Sequence, residues 1–158
     1  VLRPAASHQV PPEVQAAANP TPVAELAGVC GTAAARRVPF VVTDVDTDPA
    51  FTAYLTVTRR FGLHAAWSHP FFDTRGRLLG TTAMYASTPR PPTRSEAEVA
   101  AFAATLAGVM VERSRNLDAL NEREARLRLI FENEPECVKV LDRDGLLLAQ
   151  SRQLAVID

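Results

Sequence analysis

Hydrophobic and polar positions change period several times along this chain. Residues 40–45 form a β-branched apolar run, which predicts a strand. Residues 65–72 and 78–86 repeat that signal. Between them, Asp73-Thr74-Arg75-Gly76-Arg77 holds the Asp and Gly of a turn, so the pair predicts an antiparallel hairpin. The segments around these strands follow helical spacing. Residues 13–18 predict a short helix, stopped by Asn19-Pro20-Thr21-Pro22, because proline lacks an N–H and restricts the residue before it. Residues 27–37 predict a second helix, with Gly28 and Gly31 near its start. Asp48 as cap and Pro49 at the first position open a third, expected to turn Phe51, Tyr54, Leu55 and Thr58 inward and to stop at Gly62. Strands and helices do not alternate as βαβ units, so the fold class is α+β with an antiparallel sheet.

The longest signal comes next. A Pro-rich break over 89–93 is followed by a capping box, Thr93 with Glu96 or Ser95 with Glu98. Nothing then interrupts a helix until about Asn133. Val99, Ala103, Leu106, Met110, Leu117, Leu120, Leu127 and Phe131 fall at alternating steps of four and three, with Arg113 and Glu124 as polar interruptions of the same seam. At 1.5 Å per residue this helix runs roughly 55–60 Å, too long to pack on one small domain. Its free half needs a partner, and a second copy is the simplest one. The chain is therefore expected to form a homodimer through helix 95–133. Beyond it, residues 137–141 and 146–149 predict two strands around Asp142-Arg143-Asp144-Gly145.

Composition narrows the function classes. The chain has 158 residues, 47% of them apolar, which suits one domain and part of another. A net charge of −1 argues against bulk attraction to nucleic acid or to an anionic membrane. No apolar run reaches the roughly 20 residues of a membrane span, and no signal peptide is visible. Val1 is not an initiator Met, and Leu2-Arg3-Pro4 reads as mid-domain sequence, so a piece of a larger protein is expected. Cys30 and Cys137 lie far apart, which fits free thiols in a reducing, cytoplasmic setting.

Few residues offer chemistry. Gly28-Val29-Cys30-Gly31-Thr32-Ala33 opens a helix, where free N–H groups favour an anion and Thr32 adds a hydroxyl. The competing reading is a tight helix entry that needs glycine for steric reasons alone. On the strand over 65–72, Trp67, His69 and Phe71 share one face, and Ala66, Ser68 and Pro70 share the other. Either face can meet a pocket. Asp44 ends a strand and suits either a ligand N–H or the cap of the next turn. Phe51 and Tyr54 suit the roof of a cavity or its core. His69 has no second ligand at a useful spacing, which disfavours metal or haem. No phosphate loop and no zinc-type pairing of Cys and His is present in the sequence.

The strings Gly-Val-Cys-Gly-Thr-Ala at 28–33, Val-Val-Thr-Asp-Val at 41–45, Gly-Leu-His-Ala-Ala-Trp-Ser-His-Pro-Phe-Phe at 62–72 and Leu-Leu-Gly-Thr-Thr-Ala-Met-Tyr at 78–85 resemble, in order and spacing, a bacterial GAF domain. The stretch from Arg128 to Glu136, followed by Val138-Lys-Val-Leu-Asp-Arg-Asp-Gly145, resembles the junction between a signalling helix and a PAS domain. The resemblance implies a GAF-like domain over 1–90, its final helix continuing as a signalling coiled coil over 91–133, and the start of a PAS domain over 134–158. It implies a six-stranded antiparallel sheet flanked by helices, whose first strand is missing or supplied by residues 1–7. It implies a sensory domain of a signal-transduction protein, with a histidine kinase or a cyclic-di-GMP enzyme as a typical output. Its ligand would sit among Val29, Cys30, Gly31, Thr32, Asp44, Phe51, Tyr54, Trp67, Ser68 and His69. A small anion is the first expectation; another small molecule and a ligand-free dimerisation spacer stay open, while haem and bilin are not expected. The 28–33 string also resembles free methionine-(R)-sulfoxide reductase, but that family's further cysteines have no counterpart near 48–54. The chain itself is therefore expected not to be an enzyme.

Overall fold

The computed structural model describes residues 1–133, 139–141, 143–144 and 147–150. They fall into two compact units, Val1–Glu112 and Arg113–Asp158. The first runs α1 (Pro12–Ala17), α2 (Gly28–Arg36), β1 (Phe40–Val42), a 3-10 turn (Pro49–Phe51), α3 (Leu55–Arg60), β2 (Ala65–Phe72), β3 (Leu78–Ala86) and the start of α4 (Arg94–Asn133).

Among the described residues the main sheet has three antiparallel strands in the order β1-β2-β3, not the six that the family resemblance implies. Residues 1–7 add no strand to it. Leu2 instead exchanges hydrogen bonds with Thr21, its N–H donating to Thr21 O at 2.7 Å and its own O accepting from Thr21 N at 3.0 Å. β1 stops at Val42, short of the expected Val45. There the Asp44 carboxylate accepts from Asp46 N at 3.0 Å and closes a turn, although Val45 still donates to His64 O at 2.9 Å. The expected single helix after Asp48 is divided. Asp48 caps as the sequence indicates, accepting from Ala50 N at 2.8 Å. The next bonds run three residues back, and Thr52 Oγ1 donates to Pro49 O, so a tight turn precedes α3.

Register assigns the two faces of the sheet. Val42, Ala66 and Tyr85 form one cross-strand row, and Phe40, Ser68 and Ala83 the next. This face meets α2 and the 49–55 segment in a core of Val29, Val42, Val45, Ala50, Phe51 and Ala66. The opposite face carries Ala65, Trp67 and Ala86, packed with Met84 against Ala100 of α4. α4 comes close because its inner positions are small: Ala100 and Ala104 are buried, and a Cβ on Gly108 would lie 2.8 Å from Phe72 O. The first turns of α4 are thus part of the first compact unit, which runs to Glu112.

The start of α4 is fixed electrostatically. Thr93 Oγ1 accepts from Glu96 N at 3.2 Å, and Glu96 accepts in return from Thr93 N at 2.7 Å, a complete capping box. Arg90 adds two bonds to the Glu96 carboxylate, at 2.7 and 2.8 Å, while its guanidinium lies 5.6 Å from the centre of the Trp67 ring.

The second unit holds the rest of α4 and one antiparallel pair, β4 (Lys139–Leu141) with β5 (Leu147–Gln150). Cys137, most of the 142–146 turn and the Leu154-Ala-Val-Ile segment lie outside the described residues.

Two outcomes follow from the α4 contacts. Gly108→Leu should destabilise the domain by about 1–3 kcal/mol, since the added atoms meet backbone rather than a mobile side chain; urea unfolding checks this. The Arg90 and Thr93 bonds hold the Glu96 carboxyl at about 2, below its ordinary 4.5. A lowered folded-state value gives stability that is present above the ordinary value and fades as pH falls toward the lowered one. The Tm gap between the native chain and Glu96→Gln should therefore be widest above pH 4.5 and close toward pH 2.

Candidate functional site

The N-terminus of α2 faces a cavity. Gly28 enters the helix at φ +63°, a conformation in which an L side chain is strained, and no side chain caps the first turn. Gly28, Val29 and Cys30 form one wall. Val14, Ala18 and Thr21, from α1 and the loop after it, form a second. Phe51, Tyr54, Val57 and Thr58 form a third, and Tyr85 of β3 and Ala27 complete the lining. The cavity is partly open to solvent, and its space is about 40 Å³, counted as room for the centre of a water molecule. One water needs roughly 10–15 Å³ by that measure, so a few heavy atoms fit and a haem or a nucleotide does not.

The walls are mostly apolar, and their polar groups divide into used and free. Thr21 Oγ1 donates to Ala18 O at 2.6 Å, and Thr58 Oγ1 donates to Tyr54 O at 3.1 Å. Ser68 Oγ donates to Thr82 O at 2.9 Å and sits 3.8 Å behind the Cys30 thiol. The Tyr54 and Tyr85 hydroxyls have no hydrogen-bond partner among the described residues. Burial drives the Tyr85 phenol far above the usual range, with Cys30 and Tyr54 adding to the rise. It is therefore a neutral donor at any ordinary pH.

Of the residues singled out in the sequence, Val29, Cys30, Phe51 and Tyr54 line this cavity, and six do not. Gly31 is a packing glycine: a Cβ there would stand 2.4 Å from Pro22 O and 2.6 Å from Ala27 Cβ. Thr32 is fully buried, its hydroxyl without a partner. Asp44 closes its own turn. Ser68 lies on the cavity side of the sheet but behind Cys30. Trp67 and His69 belong to the α4 side: Trp67 is 2% exposed with its indole N–H unpartnered. His69 lines an open groove with Phe71, Asp73, Ala104, Val109 and Glu112, and burial lowers its pKa.

Tyr85, Val57, Thr58 and the α1 residues also line the candidate site, and the sequence reading did not single them out for it. For Tyr85 a signal existed. Once the 73–77 turn fixes the hairpin register, Tyr85 stands opposite Ala66 and shares its face. For Val14 and Ala18 no signal existed, because a six-residue helix is too short to establish a period.

The seam residues of α4 face outward. Val99, Leu106 and Met110 are 55%, 47% and 62% exposed, and Leu117, Leu120 and Leu127 are 50%, 60% and 56% exposed. Among the described residues no helix is long and apolar enough to cross a membrane, and no cluster of three metal-ligating side chains occurs.

Known proteins match this arrangement. The family model described as the GAF domain matches residues 2–111. A methyl sulfide methyltransferase-associated sensor of Methanosarcina acetivorans is 32% identical over 126 residues, which is 80% of this chain and 13% of that protein. This chain therefore spans a small part of that relative's length. A crystallised domain from Sinorhizobium meliloti 1021, assigned to a two-component sensor histidine kinase, shares the fold with a TM-score of 0.56 at 23% identity, covering 73% of this chain and 72% of that one.

The buried, unpartnered Thr32 hydroxyl gives a direct stability check. Replacing a buried, unpartnered hydroxyl by a methyl of equal size removes a desolvation cost. Thr32→Val should leave stability unchanged or raise it by up to about 1 kcal/mol, read by thermal unfolding.

Proposed function

Because the chain belongs to the GAF domain family, we propose that it is a sensory domain that binds a small molecule between α2, α3 and β3 and passes its state along α4 of a dimer. The observation that carries this reading is the double use of α4. Its inner positions, Ala100 and Ala104, pack on the sheet opposite the cavity face, while its outer apolar positions are left to solvent. The outer row repeats at heptad spacing from Val99 to Leu127, a pattern complementary to a second copy of itself. A ligand shifts such an element only by its differential affinity for two packings of the helix. Arg113 and Glu124 weaken the seam locally and suit it to two arrangements.

The sensor function of the Methanosarcina relative and the kinase assignment of the Sinorhizobium protein support a signalling role. In this reading the segment after α4 is the start of a PAS domain, and the output is a histidine kinase or a cyclic-di-GMP enzyme elsewhere in the protein. The small cavity favours a second reading, a dimerisation spacer that holds no ligand.

Oligomeric state tests the relay. The chain should sediment as a dimer, and Leu117→Glu with Leu120→Glu should yield a folded monomer of unchanged Tm in its first unit. A native chain that stays monomeric at high concentration removes the relay.

A further inference from the structure

The cavity has a chemical preference of its own. None of its twelve lining residues carries a charge. The cations of α2 stand at its opposite end and are committed there. Arg36 makes bonds of 2.6 to 2.9 Å to Glu25 and covers the Phe40 ring, and Arg37 donates to Gly76 O and lies 4.8 Å from the Phe72 ring centre. An anion here would exchange its water shell for mostly hydrocarbon walls, the thiol of Cys30 and the first turn of α2. A helix terminus offsets only a small part of the cost of burying an unpaired carboxylate. A neutral molecule pays no such penalty. It meets apolar surface from Val14, Val29, Phe51 and Val57, and the lining residues Tyr85 and Tyr54 carry phenol donors for an acceptor atom.

We propose that this cavity takes an uncharged molecule of roughly three to five heavy atoms, bearing one oxygen or sulfur acceptor that is held by the Tyr85 hydroxyl. The inference rests on the ligand-binding reading above and narrows it from a small molecule of either charge to a neutral one.

Acetamide, acetone and acetate have nearly the same size and shape and differ in charge, so they separate the alternatives. The isotope-labelled chain is titrated with each at matched ionic strength, following the amide signals of Cys30, Tyr54 and Tyr85 by NMR. Acetone and acetamide should move those signals saturably, and acetate should bind at least about tenfold more weakly. Tyr85→Phe keeps the ring and loses the donor; it should weaken acetone and acetamide by roughly tenfold, with Tm little changed. Acetate binding as tightly as acetamide overturns the charge preference and leaves the ligand-binding reading standing. Undiminished binding to Tyr85→Phe overturns the assignment of the acceptor contact. No saturable shift with any of the three overturns both readings and favours the spacer.

Discussion

Everything in the first unit depends on the pairing register of β2 with its two neighbours. Ala66 opposite Val42 and Tyr85 puts small and apolar groups under α2; Trp67, one residue on, is sent to α4. A slip by one residue would bring the indole into the space that Ala66 occupies and expose Ala66 to α4. Neither helix then fits, since α2 approaches closely at Gly31 and α4 at Gly108. The register is fixed by the 73–77 turn. There Asp73 accepts from the N–H groups of Arg75 and Arg77 at 2.9 and 2.8 Å, and its carboxylate is nearly closed to water. Burial alone would raise the Asp73 pKa, yet the Arg77 and Arg75 bonds together hold it below the ordinary value.

The parts of the fold that were legible in the sequence have strong local signals. The bounds of β2 and β3 follow from two apolar runs around an Asp-Gly turn, and α4 follows from an unbroken pattern behind a capping box. The less legible parts are decided by competition between local bonds. Asp44 and Thr52 each take a nearby backbone group, which shortens β1 and splits the helix after Asp48. The site was half legible for a related reason. A helix start with glycines, Gly28 to Cys30, marks one wall. The facing of a strand is decided by what packs on it, so the sequence left the two faces of β2 equivalent. The structure separates them by giving the indole the broad gap beside Ala100.

The cavity and the α4 interface are thus on opposite faces of one thin sheet. Ser68 is one link across it: its hydroxyl stands behind the Cys30 thiol and donates to the carbonyl of Thr82, whose own hydroxyl is buried without a partner. The Ser68 side chain thus lies between Cys30 and a backbone group of β3, the strand that carries Met84 against the Trp67 cluster.

Trp67 is the sole tryptophan of the chain, and it stands between the sheet and α4 with a guanidinium over its ring. The protein consequently carries its own optical gauge. Its ultraviolet emission comes from a single indole in a dry seam, so any tilt of α4 that admits solvent or withdraws Arg90 registers as a change of colour or intensity, with no label attached.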